Sequence, residues 1–447
     1  MPEIPDQNPE DEFRDLLRQF LSGGSEIDPR ELARAAGLGD DPAVVQQLLS
    51  QFQSALDLSG DGINWSLSLE QGKAVAERGR QPSLPDERDR LLQAFHIAAL
   101  WLDEATSISE LSVTPKLLSR TEWVVATMPV WTQLAEPVAN SIADALTEVL
   151  QEQAPEDMGE MIAGASKMFR SVGGTLFAMQ LGQVVGQLST EAVSGGDIGI
   201  PLLGGTDTSE QAAILPQNAK AFGEGLDVEP EEVSIYLAVR ELAHARLFRH
   251  ARWLRLQVLT SITEIVRGNR INQDMMERIA ENFDPTSPEA LQDAVRSGEL
   301  LEPRSESQLA AAARLETTLA LVEGWVDVVT ATATSRLPKS GAIAEMVRRR
   351  RASGGPAESA FSTLIGLELR PRRLREAAAM WQQLTDAVGE EKRDELWSHP
   401  DLIPTAEDID DPAALIARIT GPAPEPDDVD QAIADLLGDD NPDRPKE

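Results

Sequence analysis

The 447-residue chain contains no cysteine. That excludes disulfides, zinc–thiolate sites and thiol catalysis, and it fits a reducing compartment better than secretion. Aromatic residues are scarce at 4%, and they are dominated by eight Trp and ten Phe against a single Tyr. With only four His, imidazole chemistry is confined to His96, His244, His250 and His399. Positive charge is in deficit: 40 Lys and Arg face 75 Asp and Glu, a formal net charge of −35. Such a chain repels phosphate backbones and anionic lipid, which argues against nucleic-acid and membrane partners. No stretch is continuously apolar over the length of a membrane span. The nearest approach is SVGGTLFAMQLGQVVGQLST (171–190), which has no charge but carries Gln180, Gln183 and Gln187. It reads as a buried helix, with Gly182 and Gly186 as a small-xxx-small pair suited to close packing. The N-terminal MPEIPDQNPEDEF has neither the basic stretch nor the apolar core of a signal peptide, so the expected location is cytoplasmic.

Against these absences, helical periodicity runs through most of the chain. Apolar residues recur at helical spacing in LPDERDRLLQAFHIAALWLDEATSI (84–108), and helical regions follow at 120–153, 155–192 and 229–268. Further helices are expected at 271–283, 287–297, 306–334, 340–352, 356–366 and 371–389. The glycine- and proline-rich segment 195–218 holds two short apolar runs, IGIPLL and AAILP, the best strand candidates. The fold class is therefore mainly α, with at most a small β-hairpin and acidic mobile termini. An acidic N-terminal segment (1–60), a mostly helical domain (61–400) and an acidic C-terminal tail (401–447) are the expected divisions. Two arginine runs, Arg348–Arg351 and Arg370–Arg375, make a local basic patch. It reads either as solvated helix ends or as a dock for an acidic partner, including the chain's own tail. GGDIGI (195–200) lacks the Lys-Ser/Thr ending of a phosphate loop, and no Ser sits in a nucleophile elbow.

The chemistry concentrates in YLAVRELAHARLFRHARWLR (236–255). Its Arg240-Glu241-Leu242-Ala243-His244 differs by one residue from HExxH, the helix in which two His bind zinc and the Glu serves as general base. On one helix over 233–258, a stripe of Val233, Leu237, Arg240, His244, Leu247, Ala251, Leu254 and Val258 has two polar members, which need partners. A guanidinium has no lone pair for a metal, and its charge repels a dication. His250 has the spacing of a further ligand, but Leu247 stands where such motifs need Gly. Glu323 offers a carboxylate from a later helix. With Glu316 and Asp327 it also reads as a solvated stripe beside Leu315, Leu319, Val322, Val326 and Val329.

A wider set of stretches resembles a known family. INWSLSLEQGKAVA (63–76), AALWLDEAT (98–106), EWVVATMPVWTQLAEPVA (122–139), GGTLFAMQLGQVVGQLSTEAVSGGDIGIPL (173–202), the 212–255 block, LVEGWVDVV (321–329) and IGLELRPRRLREAAAMWQQL (365–384) occur in order. Over about residues 60–420 the chain is similar to the zinc-dependent metalloproteases, or candidate hydrolases, found mostly in actinobacteria. One branch of these is tied to biosynthesis of a deazaflavin coenzyme. The resemblance implies a zincin-like helical domain that acts on a peptide or protein. It implies that the helix of Arg240, Glu241 and His244 lies against that of Glu323. His244 and Glu323 would then be metal ligands for zinc, and Glu241 the catalytic base. Arg240 is the departure. It either steadies an oxyanion or substrate carboxylate in a degenerate catalytic site, or it replaces zinc's charge by pairing with Glu241, Glu323 or Asp327. In the second case the protein is a pseudoenzyme, a protein-interaction module on a peptidase fold.

Overall fold

The computed structural model describes residues 63–152, 159–203, 212–267, 272, 302–354 and 356–421. The acidic segment 1–60, the chain beyond 421 and, apart from residue 272, the expected helices at 271–283 and 287–297 lie outside the described residues. Helices α1 (Ser66–Glu77) and α2 (Pro85–Leu102) come first, then β1 (Lys116–Leu117) and two long helices, α3 (Arg120–Glu152) and α4 (Gly159–Glu191). Strand β2 (Ala213–Ile214) leads into α5 (Pro216–Gly223), α6 (Pro230–His250) and α7 (Arg252–Arg267). Next come α8 (Glu306–Ala333), α9 (Ser340–Ser353), α10 (Pro356–Ile365) and α11 (Leu374–Glu395). A 3₁₀ turn at Pro400–Leu402, α12 (Ala406–Asp410) and α13 (Pro412–Thr420) complete the order.

Local signals account for several boundaries. Pro85 and Pro230 open their helices at the position where a missing N–H costs nothing. In α6 the first turn carries Glu231 and Glu232 and the last carries Arg249 and His250, each matched to the helix dipole. Ser305 caps α8 by accepting from Gln308 N, while Gln308 Oε1 accepts from Ser305 N at 3.0 Å.

The helix expected over 229–268 is two. It breaks at Ala251, whose φ of −91° and ψ of 68° end α6 after His250. No Gly or Pro marks this break, and Ala and Arg favour helix, so packing overrides propensity there. The small sheet is also not a hairpin. β1 and β2 pair in parallel, Lys116 with Ala213 and Leu117 with Ile214. AAILP supplies β2, whereas IGIPLL forms no strand. Residues 193–195 lie along the other side of β2, through Leu215 N to Val193 O and Gly195 N to Ala213 O, both 2.9 Å. Folded chain continues past residue 400: α12 and α13 pack on α11 and bury Ile409 and Leu415.

Two helices organise the interior. α6 is packed by α2 on one side and α8 on another, and α8 is covered in turn by α7 and α11. α1 and α3 pack on α4 to form the adjoining layer. The few aromatics are placed where they fill most: Trp123, Trp131, Trp325, Trp381 and Trp397 are all fully buried. Trp381 stacks on Trp397 and donates from Nε1 to Leu321 O at 2.9 Å. Beside them Asp394 accepts from Thr106 Oγ1 (2.6 Å), Ser107 N (2.8 Å), Trp325 Nε1 (2.9 Å) and Arg393 Nε (2.7 Å). That fully satisfied carboxylate ties α2's exit loop to α8 and α11.

The uncharged stretch 171–190 is the C-terminal half of α4. No helix among the described residues is long and apolar enough to cross a membrane. Its glycines bring α1 backbone to backbone. A methyl group added at Gly186 would lie 2.5 Å from Val75 Cβ, and one at Gly182 would lie 2.3 Å from Ser68 O. Gly186→Leu is therefore expected to lower stability by about 1–3 kcal/mol, since the backbone cannot yield as a side chain would. A urea melt reads this directly, and an unchanged midpoint would contradict the close approach.

Candidate functional site

From Val233 to Phe248 nearly every residue of α6 is buried, on all faces of the helix. Polar side chains in that stretch cannot turn to water, so each must find a partner inside the protein. Arg240, Glu241 and His244 each do, and two of them find the same one.

That shared partner is Glu323, fully buried on α8. Arg240 Nη2 donates to its Oε2 in a short ion pair. His244 Nε2 lies 3.1 Å from Oε1. A third cation, Arg351 from α9, approaches the same Oε1 at 3.5 Å and donates to Ile198 O at 3.1 Å. Burial alone would raise the Glu323 pKa. The charges of Arg240 and Arg351, with His244, outweigh it and hold the carboxyl well below the usual range. Burial likewise works against Arg240's charge, but Glu323, helped by Tyr236 and Asp327, keeps the guanidinium firmly protonated. Tyr236, one turn before Arg240, is pushed up to about 12 by burial.

Glu241 points from a neighbouring face of α6 toward the small sheet. Its Oε1 accepts from Ala213 N and its Oε2 from Gly196 N, both at 2.8 Å. Burial raises its pKa, against these two backbone bonds. Both oxygens thus hold the 190s loop and β2 in place. A glutamine here has one acceptor where two N–H groups need one each. Glu241→Gln is therefore expected to lose about 1–3 kcal/mol of stability, the cost of a stranded buried donor. Were Glu241 a free base facing solvent, the thermal midpoint would not move.

The loop from Val193 to Leu203 closes over this site. Gly196 lies against the His244 ring, so that an added Cβ would sit 2.9 Å from His244 Cβ. Gly199 has φ +79°, and a Cβ there would meet Arg351 Nη2 and Glu323 Oε1 at 2.7 Å. The space left beside Glu241 and His244 is about 30 Å³, room for about one water and not for a substrate.

These facts decide which metal chemistry the residues fit. A zinc ligand needs an unprotonated imidazole nitrogen and a free carboxylate. His244 Nε2 faces a carboxylate oxygen, and Nδ1 faces Arg240 O at 3.2 Å, so both ring nitrogens are turned to acceptors. Glu323 faces two guanidiniums. Among the described residues no three His, Asp or Glu side chains converge as a metal site. The donor set does not fit a dication.

The structure brings together Arg240, His244 and Glu323, as the resemblance implies, and sets Glu241 on a neighbouring face. The solvated-stripe reading of Glu323 and Asp327 does not hold: Asp327 is buried too and is gripped by Arg348 at 3.0 and 3.1 Å. His250 is the exposed last residue of α6 and reaches none of these groups. The arginine runs are paired with the chain's own acids, although Arg349, Arg372 and Arg375 stay mostly exposed. Arg348 pairs with Asp327, Arg349 with Glu345, Arg350 with Asp197 and Arg351 with Glu323. In the second run Arg372 pairs with Glu368 and Arg375 with Glu345. Arg373 does reach Asp410, on α12. Arg351 and the Gly195–Gly199 cover are parts of the site that sequence reasoning missed. One was hidden in a four-arginine run and the other in a loop read only against phosphate motifs.

The fold is similar to the crystal structure of a candidate hydrolase with a novel fold from Chloroflexus aurantiacus. The TM-score is 0.53 at 16% identity, covering 80% of this chain and 99% of that one. No curated protein sequence matches the chain. The pattern that defines zincin-like metallopeptidases matches residues 63–416, from the approach to α1 into α13. The match spans both helices that build the Arg240–Glu323 pair, and the chain belongs to the zincin-like metallopeptidase family.

Proposed function

We propose that this chain is a zincin-like protein in which the Arg240 guanidinium supplies the positive charge that a metal supplies in an HExxH relative. On this reading it works as an interaction module for a peptide or protein partner and not as a zinc peptidase. One observation carries the reading: Glu323 is held by Arg240, His244 and Arg351, so the carboxylate is already neutralised without an ion. Two further features support it. Glu241, in the general-base position, has both oxygens on backbone N–H groups. Arg240 is buried and engaged with Glu323, which leaves it no reach toward a substrate oxyanion. The kind of partner comes from family membership, since a peptidase scaffold is shaped for polypeptide.

The test is the zinc content of the untagged full chain by mass spectrometry, run beside His244→Ala and a broad peptidase screen. Zinc far below one per chain in both proteins, with no hydrolysis that Glu241→Gln abolishes, is the expected result. About one zinc per chain, lost in His244→Ala, would refute the proposal.

A further inference from the structure

Within a chain of net charge −35, residues 343–376 carry eight arginines against four glutamates. Folding brings the two arginine runs of this stretch side by side. Glu345 on α9 accepts from Arg349 at 3.2 Å and from Arg375, on α11, at 3.4 Å, and Arg348 stands 4.0 Å away. Three guanidiniums therefore share one carboxylate, although Arg348 has Asp327 as well. Arg372, three residues before Arg375, adds another cation, paired with Glu368.

The side chains of Arg349, Arg372 and Arg375 are 74%, 70% and 67% exposed. Ion pairs that open to water are weak, so each guanidinium stays available to a further anion. Met346, one turn before Arg349, is exposed on the same side of α9. The chain itself supplies a partner of the right sign. Residues 422–447 hold nine Asp and Glu against two Lys and Arg. They follow directly on α13, which packs on α11. α12, just before it, is reached by Arg373 through Asp410 and through Ala406 O at 3.4 Å. The nine residues of α13 rise about 14 Å from that contact. A 26-residue segment spans up to about 85 Å, so residues 422–447 start well within reach of Arg375. The other acidic segment, 1–60, enters at α1, in the layer that α1 forms with α3 and α4.

We propose that the acidic segment 422–447 docks in cis on the face of Arg349, Arg375 and Met346. Its carboxylates meet guanidiniums that share too few acids. Each pair is weak, but the covalent tether replaces a bimolecular encounter with an intramolecular one, so weak pairs suffice. The tether also favours this occupant over a second copy, because two chains of net charge −35 repel each other. The contact makes the segment a built-in competitor: another acidic polypeptide must displace it to use this face. The inference does not depend on what Arg240 and His244 do.

The absence of native cysteine makes disulfide trapping selective. Met346→Cys and Ala434→Cys are introduced together into the full chain, the protein is oxidised at low concentration, and the intramolecular disulfide is followed by mobility and mass. Adding Arg349→Gln, Arg372→Gln and Arg375→Gln together should slow its formation by about tenfold, the combined scale of three exposed pairs. Raising the salt from about 0.1 M to about 1 M, which shortens the Debye length from about 10 Å to about 3 Å, should slow it similarly. The three Gln changes lie at the surface, and an unchanged thermal transition checks that the fold survives them. Should it not survive, the salt series on the arginine-bearing chain decides alone. A rate that ignores the arginines or ignores the salt overturns the proposal. So does a disulfide that forms only between two chains, which would put a second copy's segment on this face.

Discussion

Arg240→Ala is expected to cost about 3–5 kcal/mol of folding stability, the range for removing one partner of a buried ion pair. The loss is that of a stranded carboxylate more than of an attraction. Glu323 is fully buried, and with Arg240 gone it keeps only His244 and the more distant Arg351. Arg351 offsets part of the deficit, which places the expected value toward the lower end. Arg349, mostly exposed and paired with Glu345 four residues back, provides the control: Arg349→Ala should change stability by no more than about 0.5 kcal/mol. A double-mutant cycle of Arg240→Ala with Glu323→Gln isolates the coupling, because the double variant should lose clearly less than the two single losses added. If Arg240→Ala unfolds at the wild-type denaturant midpoint, the guanidinium is not doing the work assigned to it.

The same pair sets an acid-side pH dependence. The Glu323 carboxyl is held below its unfolded value. Its contribution is therefore present in full above the ordinary carboxylate range and is lost as pH falls through the depressed folded-state value. Wild-type stability should fall as the medium is acidified below about pH 4.5. In Arg240→Ala much of that slope should vanish, since the variant has already lost the charge that holds the carboxyl ionised. Parallel profiles for the two proteins would assign the acid sensitivity to other carboxylates.

How much of this was legible beforehand follows from where each signal resides. α8, α9 and α10 were readable within a residue or so because caps and periodicity agree, as with Ser305 and Gln308. The break at Ala251 was not, because nothing local encodes it. The parallel pairing of Lys116–Leu117 with Ala213–Ile214 was invisible for a similar reason: two-residue strands carry no period, and their pairing joins distant parts of the chain. At the site, residue types outran geometry. Arg240 and His244 stood out as polar positions among apolar ones, and the resemblance put Glu323 opposite them. Spacing alone could not say that Glu323 is buried and Glu316 is not, since the two are equally plausible members of one stripe. Nor could it say that Arg351, alone of four consecutive arginines, turns inward far enough to reach Glu323. A charge run reads as solvated until the tertiary fold supplies buried partners.

Arg240→His is expected to make the protein respond to zinc. The substitution places an imidazole one turn before His244 and opposite Glu323, and it removes the cation that occupies Glu323 Oε2. Two imidazoles and a carboxylate then converge, a donor set that suits zinc. Without metal the variant should be about as destabilised as Arg240→Ala, by about 3–5 kcal/mol. With free zinc at a hundredfold excess over its Kd, linkage returns about 2.7 kcal/mol, visible as a zinc-dependent rise in Tm. Arg351 remains near Glu323 and opposes a dication, so Arg240→His combined with Arg351→Gln should bind zinc more tightly than Arg240→His alone. Hydrolysis is not expected to return with the metal. Glu241 stays on the Ala213 and Gly196 amides, and the Gly195–Leu203 loop still leaves room for about one water. The decisive comparison is with the wild-type chain. A zinc-dependent rise in its Tm as large as the variant's would mean that Arg240 swings out to admit the ion. No rise in the wild type and a clear one in Arg240→His would mean that one guanidinium separates this site from a metal centre.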